Sequence, residues 1–333
     1  MKVLNLLVAN VCFVMGLAST GCDPAAEMGA SDEVESHNDS GDGCHTWQCG
    51  FNYAEVDGRA IRELNVHGVA NSSNVKIASF NAPAGLLGYK LGVQNDELVA
   101  TKAGATTLRG NSLVGGTVTL LVKQPGLLDL WLPTVITIAG YDEIPSWAVG
   151  APDTATYALV YPDASSSTGT HNVCNGDLTD TLATAAIVLG SETYDLDTKE
   201  VNENLADWFT IGCAASAVAK TRLFNNGPQS DFDVNGNAAS VDQRQATLKM
   251  ITADYCGNGT SYTANSTPLQ FEDAAGTVAV SGTPGPIEAI WTAEGALCLG
   301  TTRIPNTSVA CSLPSCAGFD VSDGVWATYV PVP

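Results

Sequence analysis

The clearest chemical spacing in this chain belongs to oxygen donors. Asp231, Asp233, Asn235, Asn237 and Asp242 follow the order of a calcium loop, with Gly236 at the sharp turn. Such a loop presents side-chain oxygens at its first, third, fifth and last positions, and Asn237 adds a backbone carbonyl. Three features depart from the pattern, the small Ala238 at position 8 among them. Asp242 is shorter than the usual closing Glu, and Gly227-Pro228-Gln229-Ser230 predicts no helix leading in. These five residues are the metal candidates, with Ca²⁺ as the cation, and no other cofactor is expected.

A second constellation is a carboxylate pair, Asp254 and Glu288. Two acids held apart can serve as general acid and base, which makes a secreted hydrolase one reading of the chain. The competing reading is structural and is preferred, because nothing local points to a shifted pKa. In it, Asp254 accepts backbone N–H groups or pairs with Arg303 or Lys220, and Tyr255 buries its ring and hydrogen-bonds its hydroxyl. The histidines His37, His45, His67 and His171 form no metal pair or triad spacing. His67 is expected at a strand end and His171 in a polar loop. Nucleophile-elbow, zinc-protease and phosphate-loop motifs are all missing from the sequence.

Ten cysteines are present. Cys12 falls in the leader, and Cys22 has a separate role described below. Cys44, Cys49, Cys174, Cys213, Cys256, Cys298, Cys311 and Cys316 remain, an even set that reads as disulfides in an exported chain. Local pairing of Cys44 with Cys49, or of Cys311 with Cys316, is not favoured over long-range bridges. Zinc is disfavoured, since only His45 lies near a cysteine pair.

The compartment follows from the N-terminus. Met1-Lys2 is a positive start, Val3 to Leu17 is mostly apolar, and small residues lead to Gly21-Cys22. This resembles a bacterial lipoprotein signal, although Ser19 stands where Leu is usual. The resemblance implies lipidation at Cys22, a membrane anchor, and residence at the bacterial outer membrane, the cell surface or the periplasm. Plain secretion with cleavage near Ala18 to Gly21 is the alternative. From Asp23 to Gly43 there are seven acidic residues and no Lys or Arg, so residues 22–43 read as an extended acidic tether. The whole chain holds 35 acidic against 14 basic residues, a balance that opposes binding to nucleic acid and to anionic membrane surfaces, so no nucleic-acid partner is expected.

The elements that must position these residues are mostly strands. Val75–Phe80, Leu98–Thr101, Thr117–Val122, Thr134–Ile138, Tyr157–Tyr161, Ala185–Leu189, Trp208–Ile211 and Thr277–Val280 are β-branched or apolar runs between turn formers. One helix is predicted near 240–252, with Ser240 and Gln243 forming a capping box. The fold class is mainly β: a disulfide-bonded, sandwich- or barrel-like body with one notable helix. The division expected is signal 1–21, tether 22–43, an N-terminal β unit over 44–148, and a second β-rich domain over 149–333. The boundary rests on Pro145, Gly150 and Pro152.

Ala253-Asp254-Tyr255-Cys256-Gly257-Asn258-Gly259 resembles the defining motif of the ADYC domain family, found in exported proteins of myxobacteria and their relatives. Tyr157-Ala158-Leu159, Cys174, Phe209-Thr210-Ile211-Gly212-Cys213, Ala219-Lys220, Thr263, Glu288-Ala289-Ile290-Trp291, Cys298 and Arg303 extend the likeness over about 155–304. More loosely, Cys49 to Asn52, Val56-Asp57-Gly58 and Glu63-Leu64-Asn65 resemble an upstream stretch often found in such proteins. The family pattern often carries Cys at the places of Thr221 and Thr247, and Asp at that of Asn258. The resemblance implies a fold and no mechanism. The leading expectation is a non-enzymatic surface binding or structural module engaging a glycan, cation or protein, and the hydrolase is its rival. Acidic, glycine-containing loops are also common without metal, and for this one melting with and without chelator decides: a lower midpoint on chelation supports a site. An unchanged midpoint in millimolar Ca²⁺ contradicts a significant site.

Overall fold

The computed structural model describes residues 54–124, 130–164, 166, 168–174, 184–195, 197–229, 238–264 and 267–331. The signal, Cys22, the tether, Cys44, Cys49 and the loop residues Asp231, Asp233, Asn235 and Asn237 lie outside them.

Strands β1 (Glu55–Val56) and β2 (Arg59–Ala60) form a short hairpin. Strands β3 (Glu63–Asn65) and β4 (Val75–Asn81) are the two edges of the principal sheet. A three-stranded ribbon follows, made of β5 (Lys90–Gln94), β6 (Glu97–Thr101) and β7 (Leu108–Arg109). The principal sheet resumes with β8 (Thr117–Lys123), β9 (Trp131–Ile144), β10 (Thr154–Pro162), β11 (Thr170–Asn172) and β12 (Ala186–Gly190). After the small pair β13 (Thr193–Tyr194) and β14 (Val201–Asn202), β15 (Trp208–Cys213) completes it. Helices α1 (Ala217–Leu223) and α2 (Val241–Thr252) come next. A four-stranded sheet ends the chain: β16 (Gln270–Asp273), β17 (Ile287–Thr292), β18 (Gly295–Leu299) and β19 (Trp326–Tyr329).

The principal sheet runs β3-β15-β12-β10-β9-β8-β4, with β11 also on β10, and every pairing is antiparallel. Its alternation is read directly from sequence. In β8, Val118, Leu120 and Val122 turn inward while the residues between them are partly solvated. The edges β3 and β4 pack against one another, which rolls the sheet toward a barrel. Asn71 joins them: its amide donates to the carbonyls of Ala60 and Glu63 at 3.0 and 2.9 Å, and its oxygen accepts from Val75 N–H at 2.9 Å.

Strand β12 is buried on both faces and divides the interior. Ala186 and Val188 belong to the core inside the rolled sheet. Ile187 and Leu189 belong to a second core, shared with α1, α2 and the four-stranded sheet. A period of two along five buried residues lets one strand serve two cores. The protein is thus mainly β and disulfide-bonded, as the sequence predicts.

Local differences from the sequence reading have local causes. Residues 277–280 form no strand, because Asp273 takes their polar groups: Thr277 Oγ1 donates to Asp273 Oδ2 at 2.6 Å and Val278 N–H to Oδ1 at 2.8 Å. His171 lies in β11 rather than in a loop, opposite Tyr161. Strand β9 begins before Pro133; β10 reaches only Thr137, so the Pro133 nitrogen sits on an unpaired edge. Helix α1 was not anticipated.

Three disulfides are described: Cys174–Cys213, Cys256–Cys311 and Cys298–Cys316. Cys311 and Cys316 therefore pair with distant partners. The first bridge spans 39 residues and ties the end of β11 to β15. Replacing both Cys174 and Cys213 with Ala is expected to lower unfolding free energy by about 2–5 kcal/mol, measured by urea denaturation against the parent chain.

Candidate functional site

The motif residues lie at the exit of α2, and the reason begins in that helix. From Ala246 to Thr252 every residue is buried. A helix without a solvated face must satisfy its polar side chains internally. Thr247 donates to Gln243 O at 2.7 Å and accepts from the Trp326 indole at 2.8 Å. Thr252 donates to Leu248 O at 2.8 Å. The capping box is present at the start, with Gln243 N–H on Ser240 Oγ at 3.2 Å and Ser240 N–H on Gln243 Oε1 at 2.7 Å.

Ala253 ends the helix in the left-handed conformation, with φ 51°. That conformation costs about 1 kcal/mol for a residue bearing a Cβ, and the methyl is recovered by full burial in the second core. Asp254 N–H then reaches back to Lys249 O at 2.9 Å. The reversal points the Asp254 carboxylate at its own helix. Its Oδ2 meets Lys249 Nζ at 2.8 Å, and it accepts from Asn258 N–H at 3.1 Å and Gly259 N–H at 2.8 Å. Lys249 Nζ also donates to Thr198 O at 2.8 Å. Asp254 thus pairs with neither Arg303 nor Lys220, because a lysine one turn back on the same helix is placed first. A Cβ on Gly257 or Gly259 would lie 1.7 and 1.9 Å from the carbonyl oxygens of Glu294 and Asp197, so both positions of the motif require glycine. Asn258 accepts from Thr260 N–H at 3.1 Å, a turn bond that Asp makes equally well.

The second acid sits on β17. Glu288 accepts from Tyr255 Oη at 2.5 Å and from Arg303 Nε and Nη2 at 2.6 and 3.0 Å. Arg303 also donates to the helix end, Met250 O at 2.9 Å and Ile251 O at 3.1 Å, and to Thr263 Oγ1 at 3.4 Å. One guanidinium thereby neutralises an acid and caps a buried helix terminus. Burial, reinforced by the Glu288 charge, pushes the Tyr255 phenol far above its ordinary range. Burial works against the Arg303 charge, yet Glu288 holds its pKa above normal. Trp291 stacks on Tyr255 at 5.3 Å, and Arg303 lies over the Trp291 ring at 5.7 Å. Cys256 is bridged to Cys311, so the motif is fastened to the C-terminal loop.

Asp254 and Glu288 are both 0% exposed. Each is already engaged by a cation and further donors. Of the histidines, His37 and His45 lie outside the described residues, while His67 faces Asp207 at 3.3 Å and His171 faces Asp163 at 3.6 Å. Among the described residues, no cluster of three His, Cys, Asp or Glu is placed to hold a metal. Among them too, no helix is long and apolar enough to cross a membrane.

Two features carried no sequence signal. The first is a buried pair at the other end of α2, where Arg244 Nη2 meets Glu192 Oε1 at 2.5 Å and Tyr194 Oη donates to Glu192 Oε2 at 2.9 Å. The second is an open cleft of about 710 Å³ beside β18, lined by Leu299, Thr301, Asn306, Thr307, Ser312 and Leu313 among others. Its lining is uncharged and mixed, and Leu299 beside it donates its N–H to Pro314 O at 2.9 Å.

Glu288→Gln is expected to cost about 3–5 kcal/mol in urea unfolding, because it leaves Arg303 buried without its counter-charge. A pH dependence follows from Glu192. Burial raises its carboxyl from 4.5 to about 7, against the pull of Arg244. The folded state therefore holds this proton more tightly than the unfolded chain does. Its contribution to stability is present below pH 4.5 and is lost as pH rises through about 7. Glu192→Gln is expected to remove that component of the slope in melting temperature against pH.

A family model described as the ADYC domain matches residues 110–305. The match begins well upstream of Tyr157 and takes in β8 and β9 of the principal sheet, while the looser upstream likeness over Cys49–Asn65 lies outside it. No curated protein and no solved structure matches the chain. The matched span covers more than half of the 333 residues and includes both buried acid nodes, and the chain belongs to the ADYC domain family.

Proposed function

We propose that this protein is an exported, lipid-anchored module of the bacterial envelope that binds or scaffolds without catalysing a reaction. The observation that carries the reading is the state of its two acids. Asp254 and Glu288 are fully buried and matched by Lys249 and Arg303, which leaves neither free to exchange a proton with a substrate. Surface recognition falls to the open cleft beside β18, whose hydroxyl, amide and aliphatic lining suits an uncharged ligand such as a glycan or a peptide segment. Anchoring rests on Gly21-Cys22 and on the acidic run that follows it.

The test has two arms. Intact mass of the chain from its native host is expected to show an acylated Cys22, and Cys22→Ala is expected to move the protein from the membrane to the soluble exported fraction. Glycan and peptide arrays are expected to give binding without turnover, lost on Leu313→Arg and retained by Asp254→Asn at equal folded fraction. Hydrolysis abolished by Asp254→Asn in folded protein would overturn the reading.

A further inference from the structure

We infer that the turn between β4 and β5 is a membrane-contacting tip that seats in the headgroup layer of a lipid bilayer. Leu86 and Leu87 are adjacent there and are 45% and 79% exposed. Ala84 to Gly88 are all exposed, and Ala84, Gly85 and Gly88 take positive φ, which tightens the turn. The tip is braced. Lys102 Nζ donates to Leu87 O at 2.8 Å and stands 5.8 Å from the Tyr89 ring centroid, while Tyr89 Oη donates to Thr106 O at 3.2 Å. The two leucines are thus held out of the body by fixed contacts.

The local charge fits the same partner. Lys90 and Lys102 are exposed at this end of the ribbon. Between Ala82 and Ala105 the acids are Asp96 and Glu97 alone, both at the opposite end, where the β5–β6 turn lies. Asp96 is buried there and accepts from Gly190 N–H and Gln229 N–H at 2.8 and 2.9 Å. A five-residue strand places those acids roughly 15 Å away, beyond a screening length of about 8 Å at physiological salt. Within the ribbon, a chain of formal charge −21 therefore presents an end that is apolar and cationic. Leucines flanked by a tyrosine and by lysines match the chemistry of a lipid interface, where side chains of these types can lay apolar parts against the acyl boundary and keep polar ends in water.

The inference goes beyond anchoring through Cys22 and is tested without it. The full chain carrying Cys22→Ala is sedimented with phosphatidylcholine vesicles, and with phosphatidylcholine vesicles containing phosphatidylglycerol. Binding to both is expected, tighter on the anionic vesicles. Leu87→Asp should weaken both by about ten-fold or more, and Lys90→Gln should cost roughly five-fold on the anionic vesicles alone. Both side chains are exposed, so melting temperatures should not change. Absence of binding to either vesicle, equal binding by Leu87→Asp, or a Leu87-dependent dimer without lipid would overturn the inference and leave the acyl-anchor reading standing.

Discussion

The pairing of Arg303 with Glu288 is the constraint on which the C-terminal half of the molecule depends. A buried helix that stops inside a core leaves carbonyls facing apolar surroundings, and these need donors. The Arg303 guanidinium supplies them to Met250 and Ile251. A guanidinium buried at 5% exposure needs a counter-charge in turn, which β17 provides through Glu288. Tyr255 completes the acid's hydrogen bonding and brings the motif turn onto β17. One node thus fixes the helix end, the motif, a central strand of the second sheet and the C-terminal loop.

Asp254 solves the matching problem on the other side of the same turn. It holds Lys249, and through Asn258 and Gly259 it fixes a loop that only glycine can close. The two acids look like a catalytic pair in sequence because both are acids near one motif. In the fold they serve two separate cations. The rolled sheet across β12 is a distinct core with little buried charge of its own, and β12 and β15 connect the two halves.

Much of this was legible in the sequence, for reasons that can be named. Most strands were, because β-branched runs such as Thr117–Lys123 have one face to bury and keep a period of two. The helix start was, because Ser240 and Gln243 satisfy each other locally. Helix α1 was not: seven residues carry too little periodicity, and its formation depends on packing against α2 and β12. Residues 277–280 read as strand by composition, but the side chain of Asp273 won their hydrogen bonds. The partner of Asp254 was missed because the choice depends on the direction of a left-handed residue, Ala253, which propensity does not reveal. The Glu192–Arg244 pair joins residues far apart in the chain, and the cleft beside β18 is shaped by how the turns over residues 299–313 fold back on one another; local patterns carry no trace of either.

Asp254 and Glu288 are each matched by a buried cation, and the family motif between them fastens the end of α2 to β17 and to the C-terminal loop. The most direct measurement is a double-mutant cycle between Glu288→Gln and Arg303→Met, followed by urea unfolding. A coupling of at least about 2 kcal/mol is expected, with the double variant more stable than the two single losses added together. Additive losses within about 0.5 kcal/mol would contradict the account.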